Sequence, residues 1–531
     1  MWAIARTPCD ENLIRAGSAT TPCQKSRGRW VLTATILATS MAFIDSTVVN
    51  VALPALQTHL GATALDVQWV VESYSLLLSA LLLIGGSLGD HYGRRRVFVI
   101  GVAIFAIASA ACGLAIDVRQ LIAARALQGL GAALLVPGSL AIISNTFPAK
   151  ERGRAIGTWS GASAITTGIG PVLGGWAIEH LSWRAAFFIN VPIALIIIPI
   201  ALRHIPENAD EEPGPIDWLG AILAALGLGF LVYGLIESSS VGLKDRSVII
   251  VLAVAAVFLV VFLIREARAK NPMLPLDLFR ERTFAGANVL TFLLYAALGG
   301  AMFFLPLNLI QVQGYSPTAA GAALLPFIVV ISLMSRWSGG LVTRYGAKLP
   351  LIVGPLIAAC GFALFIPVGI NQSYWTSFFP AISLLGIGMG VSVAPLTTTV
   401  MNSVGQQRAG IASGVNNAVA RSAGLIAIAV LGIVMLQVFT GQLSQRTTGW
   451  NLPALTQTLM NQRTRLAAIA IPSDYDPVMT RQIRSGIDKS FVAGFRAVMV
   501  LGAIFAAASA VTSLLFIGSF KTQKLPDTQT R

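Results

Sequence analysis

Long apolar runs separated by short polar gaps set the pattern of this chain. Stretches able to span a bilayer fall near 30–53, 69–88, 97–116, 121–146, 156–178, 186–202, 217–236, 247–264, 284–309, 318–335, 349–367, 376–396, 409–437 and 491–519. Each is close to or above the roughly 20 residues that a helix needs to cross about 30 Å of hydrocarbon. Backbone polar groups in lipid have to be satisfied within the segment, so each run predicts a helix. The pattern predicts an all-α polytopic membrane protein with fourteen transmembrane helices. A tail at 1–29, a long polar loop at 438–490 and a second tail at 521–531 complete the outline.

Composition supports this outline. Of 531 residues, 55% are hydrophobic and 11% charged, against about 25% charged in soluble domains. A net charge of +14 would fit a nucleic-acid partner, but the basic residues sit in the short gaps, where they report topology instead. With the N-terminus inside, the cytoplasmic side receives Arg94, Arg95, Arg96, Lys150, Arg152, Arg154, Arg265, Arg268, Lys270, Arg280, Arg282, Arg336, Arg344, Lys348, Lys521, Lys524 and Arg531. Short outer loops hold Arg119, Arg184, Lys244 and Arg246, while the basic residues of 438–490 lie in a loop long enough to cross regardless of charge. Both termini are predicted to be cytoplasmic, in a multi-pass protein of the cytoplasmic membrane. The basic 1–29 tail lacks the apolar core of a cleavable signal and reads as mostly disordered.

Several chemistries are excluded. Cys9, Cys23, Cys112 and Cys360 match no zinc spacing, and the chain has only four histidines. Neither a metal nor a His-based catalytic centre is expected. No phosphate-cradling Gly-x-x-x-x-Gly-Lys sequence points to ATP. No cofactor and no enzymatic activity are expected.

The chain also repeats. "GSLGDHYGRR" (86–95), after the second span, aligns without a gap on "GGLVTRYGAK" (339–348), after the tenth. A segment recurring at corresponding places in two halves is a mark of transporters built from parallel repeats. Two six-helix bundles, 30–203 and 284–520, then flank an inserted helix pair within 204–283. Its Pro- and acid-rich lead-in, "IPENADEEPGPIDW", and charged exit, "REARAKNPMLPLDLFRER", fit that division.

These residues resemble the major facilitator superfamily, and within it the fourteen-helix drug:proton antiporters of the EmrB/QacA type. "DSTVVNVALP" (45–54) resembles that group's first-helix motif, and "GSLGDHYGRR" the superfamily loop motif, with His91 where a basic residue is more usual. "RALQGLGAA" (125–133) resembles the fourth-helix motif. "GIGPVLGG" (168–175) resembles the antiporter motif of the fifth helix, with Gly157 and Gly170 in place and Thr166 where a further glycine is common. The resemblance runs from about residue 30 to 435 and implies proton-driven export, with the proton gradient as the energy source.

The candidate chemistry follows. Asp45 lies inside an apolar run, where a charge is costly and functional by default. A carboxylate there can carry protons and attract cationic substrates, making proton and drug competitors for one site; the alternative is a packing role held by neighbouring hydroxyls. Glu72 reads either as a second titrating or substrate-contacting carboxylate or as plain interfacial surface. Arg125 enters about one turn inside span four and can approach Asp45 as a switch, or reach back to the interface. Gly86, Asp90, Gly93 and Arg94 form a cytoplasmic turn whose role, by the resemblance, is a conformational latch, with Asp90 suited to a helix N-terminus or a basic residue across the two bundles. Gly157, Gly170, Pro171, Gly174 and Gly175 suit close packing or a bend that seals the exchanger. Between Arg282 and Ser473 there is no Asp or Glu, so coupling has to rest on the first half; Arg421 is a possible gate or helix-packing residue. The expected partners are protons, small hydrophobic or cationic substrates and the lipid bilayer, with no nucleic acid, for a monomer. An exporter of one metabolite, lipid or antibiotic shares this skeleton, and a non-transporting receptor is disfavoured by the lack of a soluble domain.

Overall fold

The computed structural model describes residues 22–518, apart from 148, 208–216, 271, 340, 405–407, 449–451 and 473–474. The helices, in chain order, are α1 (Pro22–Leu60), α2 (Ala64–Tyr92), α3 (Arg94–Leu114), α4 (Val118–Thr146), α5 (Ala149–His180) and α6 (Asn190–His204). Then follow α7 (Trp218–Val241), α8 (Arg246–Arg268) and α9 (Arg282–Leu307). The tenth, α10, is in two pieces, Pro317–Ala323 and Leu325–Gly339. Last come α11 (Lys348–Leu364), α12 (Phe379–Asn402), α13 (Ala409–Thr448) and α14 (Pro477–Phe516). Among the described residues, 12 helices are long and apolar enough to cross a membrane; α5 and the shorter, apolar α11 are not in that set, although both stand where a crossing was expected.

Five of the 23 acidic residues serve as helix starters. Thr63 and Asp66 form a reciprocal cap on α2, with Asp66 N–H to Thr63 Oγ1 at 3.2 Å and Thr63 N–H to Asp66 Oδ2 at 2.8 Å. Asp117, Asp217, Asp245 and Asp476 cap α4, α7, α8 and α14 in the same sense. Close crossings use glycine. A Cβ at Gly85 would meet the Ala133 carbonyl, and one at Gly131 would lie 2.6 Å from Phe105 N. Bare backbone surfaces therefore let α2, α3 and α4 approach, which is how helices gain packing in lipid.

α1 packs on α4, α5 and α6, and α2 and α3 on α4; α9 packs on α13 and α14, α11 on α12 and α14, and α10 on α12. α7 and α8 pair with each other, and α7 rests on both α2 and α13. The two halves also meet at the end of the bundle opposite the 86–95 turn, called the far end below. There Gln311 donates to Gln57 Oε1 at 2.6 Å, and α5 lies against α10.

Two expectations change. The 438–490 stretch is not a loop: α13 continues to Thr448, a helix covers Pro453–Asn461, a 3₁₀ turn covers Arg463–Ala468, and α14 begins at Pro477. Hydropathy ends a span where residues become polar, but an amphipathic helix continues past the hydrocarbon. For the same reason α1 begins at Pro22, inside the tail expected to be disordered, and Arg27 Nε anchors it to the His204 carbonyl at 3.0 Å. Residues 1–21 and the 521–531 tail with Lys521, Lys524 and Arg531 lie outside the described residues, as do the side chains of Lys150, Arg152, Arg154, Arg336 and Arg344.

Candidate functional site

Asp45 is buried at the middle of the first half, and three side-chain donors from two helices converge on it. Arg125 Nη1 of α4 lies 2.5 Å from its Oδ2. Gln128 Nε2, one turn further along α4, reaches Oδ1 at 2.7 Å, and Asn190 Nδ2 of α6 reaches it at 3.0 Å. The i, i+3 spacing of Arg125 and Gln128 puts both on one face of α4. Ser109 on α3 accepts from Gln128 and Asn190 and donates to the Phe187 carbonyl at 2.8 Å. Arg125 in turn donates through Nε to the Val70 carbonyl and through Nη1 to Gln128 Oε1, with its guanidinium 4.3 Å from the Tyr74 ring centroid. Asp45 and Arg125 are each 1% exposed. Such a pair is stable only when its remaining lone pairs and N–H groups are filled, which these neutral partners do.

The expected approach of Arg125 to Asp45 is thus realised, and Arg125 does not reach back to the interface. Gln128, Asn190, Ser109 and Tyr74 complete the site without having stood out in the sequence. Neutral polar residues carry little signal in a membrane helix, and Asn190 lies 145 positions from Asp45. The i+3 relation of Gln128 to Arg125 is the one cue the sequence offers.

Glu72 is not interfacial surface. It is 0% exposed, and neither carboxyl oxygen has a hydrogen-bond partner among the described residues. It shares a face of α2 with Leu65, Trp69 and Leu76, which pack on Val232 and Ile236 of α7 and Leu425 and Ala429 of α13. Arg421, also on α13, lies within electrostatic reach of Tyr74 and of Tyr295 on α9. Tyr74 is thus packed against Arg125 and lies within electrostatic reach of Arg421. The second half contributes a neutral cluster, in which Asn416 Nδ2 donates to Asn288 Oδ1 at 3.2 Å and Thr291 Oγ1 at 2.6 Å.

At the 86–95 turn, Arg94 Nη2 at the start of α3 pairs with Asp90 Oδ1 near the end of α2 at 2.6 Å, across Gly93. Asp90 thus has a local basic partner, and the turn is tied instead to the end of α6. Glu207 accepts from the Arg95 N–H at 3.1 Å and lies 3.3 Å from Arg95 Nε and 3.6 Å from Arg96 Nε. Gly93 has φ +100°, and a Cβ there would run into Glu207 Oε1. Its repeat partner Gly346 also has a positive φ, 75°. Both donate to the carbonyl four residues back, Gly93 to Gly89 at 3.1 Å and Gly346 to Val342 at 3.0 Å, so the sequence repeat is a backbone repeat. Gly86 is roomier, with nothing nearer than 3.8 Å to an added Cβ. The Gly93→Ala variant is expected to lose about 1–3 kcal/mol from backbone strain alone and to displace Glu207. Thermal unfolding of the purified variant, beside Gly86→Ala as the tolerated control, checks this.

The glycines of α5 face two neighbours. Cβ atoms at Gly170 and Gly174 would strike Thr47 and Val48, which flank Asp45 on α1; one at Gly175 would strike the Pro317 carbonyl of α10. Pro171 offers its own carbonyl to Gly321, again on α10. Gly157 lies within α5, outside the described side chains.

Comparison with known proteins places these features in context. The family model described as Major Facilitator Superfamily matches residues 35–428. The chain is 36% identical over 405 residues to the multidrug resistance protein Stp of Mycobacterium tuberculosis, covering 76% of this chain and 75% of the relative. It is 35% identical to the tetracenomycin C resistance and export protein of Streptomyces glaucescens, covering 79% and 78%, and 32% identical to the methylenomycin A resistance protein of Bacillus subtilis, covering 77% and 88%. In fold it is similar to a bacterial homologue of the human lysosomal transporter Spinster, with a TM-score of 0.63 at 18% identity over 93% of this chain and 98% of that one.

Proposed function

The chain belongs to the major facilitator superfamily, and on that premise we propose that it exports hydrophobic, often cationic compounds by alternating access, driven by proton entry. The observation that carries the reading is the buried Asp45–Arg125 pair, in a chain whose relatives are named for multidrug resistance and antibiotic export. The lone pair of Asp45 Oδ2 that faces the guanidinium is the one a proton would take. Proton and arginine therefore compete, and gain or loss of that proton changes which contacts hold α1 to α4. We take the far end as the outer face, both termini as cytoplasmic, and α5 and α11 as crossings, giving fourteen in two six-helix bundles with α7 and α8 inserted between them, in the cytoplasmic membrane as a monomer.

The test is dye movement in everted vesicles with an imposed proton gradient. The expected result is gradient-driven uptake into the vesicles that a protonophore collapses. Uptake indifferent to the protonophore would sink proton coupling while leaving export standing. Relatives named for a single antibiotic, such as that for puromycin from Streptomyces alboniger, favour a second reading, in which one compound is the substrate. A panel of unrelated cations and neutral compounds decides between broad and single-compound export.

Glu72 gives a finer expectation. An unpartnered buried carboxyl at the α2–α7–α13 seam is suited to meet a cation that enters between the halves. Glu72→Gln keeps the shape and removes the charge. Transport of cationic compounds is expected to weaken on the order of tenfold, as loss of one charged contact implies, with neutral compounds unaffected. Equal loss for both kinds in the same panel would assign Glu72 to structure alone.

A further inference from the structure

The basic residues of 438–490 have no part in the exchange site, yet the structure gathers some of them. The far-end extensions of α13 and α14 and the turn after α11 border an open pocket of about 410 Å³, lined by Gly369, Ile370, Gln442, Arg446, Lys489 and Arg496, among others. Among the described residues, three cations and no carboxylate line it. Arg496 is held by Nε and Nη2 on the carbonyls of Val368 and Pro367, at 3.2 and 3.4 Å. Arg446 is braced by Gln442, and its buried Nε has no hydrogen-bond partner among the described residues. The nearest acidic side chain on α14, Asp488, is taken by Arg484 at 3.1 Å. Positive charge is thus gathered around a concave space with no counter-ion among the described residues.

Its depth identifies the occupant. α14 has 40 residues, about 60 Å of helix, twice the hydrocarbon thickness. Counting back from Phe516, about 30 Å ends at Arg496, the level of the far hydrocarbon boundary. Trp375, exposed at the adjacent start of the twelfth span, is the kind of residue that marks that level. Below Arg496 on the same face run Val500, Ile504, Val511 and Leu515, all exposed apolar side chains. A charged pocket at headgroup depth continues into an apolar stripe at acyl-chain depth.

We propose that this pocket binds the phosphate headgroup of an anionic phospholipid whose acyl chains lie along α14. Guanidinium groups match phosphate oxygens, and Lys489 adds a mobile charge at the mouth. This site is separate from the exchange site and does not depend on the coupling role of Asp45.

The test is native mass spectrometry of the full-length protein in detergent, titrated with phosphatidylglycerol or with phosphatidylcholine of identical chains. Wild type is expected to retain phosphatidylglycerol preferentially. Lys489→Gln, at an exposed side chain that makes no hydrogen bond among the described residues, should weaken that retention about fivefold, and Arg446→Gln with Arg496→Gln by about fivefold per charge. Thermal unfolding in detergent checks that the double variant is folded, and Lys489→Gln stands alone if it is not. Equal retention of both lipids by wild type, or full retention by Lys489→Gln, would overturn the proposal. Displacement of the lipid by millimolar inorganic phosphate would overturn it too, by showing a site for the free anion.

Discussion

Asp45→Asn is expected to bring gradient-driven efflux down to the level of vesicles without the protein. Asparagine keeps the size of the side chain and can still accept from Gln128 and Asn190, but it cannot take up a proton or balance Arg125. Removing one member of a buried ion pair destabilises by about 3–5 kcal/mol, because the other charge remains in place. A loss of activity alone would therefore be ambiguous, and two further variants resolve it. Asp45→Asn combined with Arg125→Gln removes both charges and should recover much of the lost stability without recovering transport. Asp45→Glu keeps the titrating group in a site with no spare room, so partial transport with a changed dependence on pH is expected. Restored efflux in the double variant would show that the pair only holds α1 to α4, and coupling would move to Glu72 or be abandoned.

The reach of the sequence in this protein follows the scarcity of charge. An aspartate in "MAFIDSTVVNVALPAL" and an arginine opening "RALQGLGAA" are conspicuous because each is expensive where it stands, and the structure brings them together. The shell that makes the pair tolerable was invisible. Gln128, Asn190 and Ser109 are neutral, and only the packing of α3, α4 and α6 makes them neighbours. Glu72 was ambiguous for a related reason. Its position near the start of α2 suggests exposure to interfacial water, whereas its burial comes from α7 and α13, about 160 and 350 residues further on. The 86–95 turn was readable as a turn from Gly93, but its anchor, Glu207, sits in an acidic stretch where nothing distinguishes one carboxylate from the next. Hydropathy located the helices well and their ends poorly, since α1, α13 and α14 all continue beyond the apolar run.

Gly175→Leu is expected to abolish transport while leaving the chain folded. The reason lies in what the new side chain would meet. Besides the Pro317 carbonyl, a Cβ at this position would lie 2.6 Å from Pro317 C and 2.8 Å from Thr318 Cα, all backbone atoms that cannot rotate away. Gly321 meets the Pro171 carbonyl from the other side, so α5 and α10 touch through bare backbone at two successive levels. A leucine must push the helices apart. Within one half that would cost packing throughout the core, but here the contact joins the two halves, and the proposed alternating-access cycle opens it in every turnover. The variant should therefore settle with the far end open and fail to close it. A pair of cysteines, Gln57→Cys and Gln311→Cys, reports this directly, because the native glutamines are hydrogen-bonded across the same seam at 2.6 Å. Short-linker cross-linking of that pair should be efficient in the otherwise wild-type protein and strongly reduced when Gly175→Leu is added, with thermal unfolding little changed. Unchanged cross-linking together with normal efflux would mean that α5 and α10 accommodate the leucine without separating, and that this seam does not gate the far end.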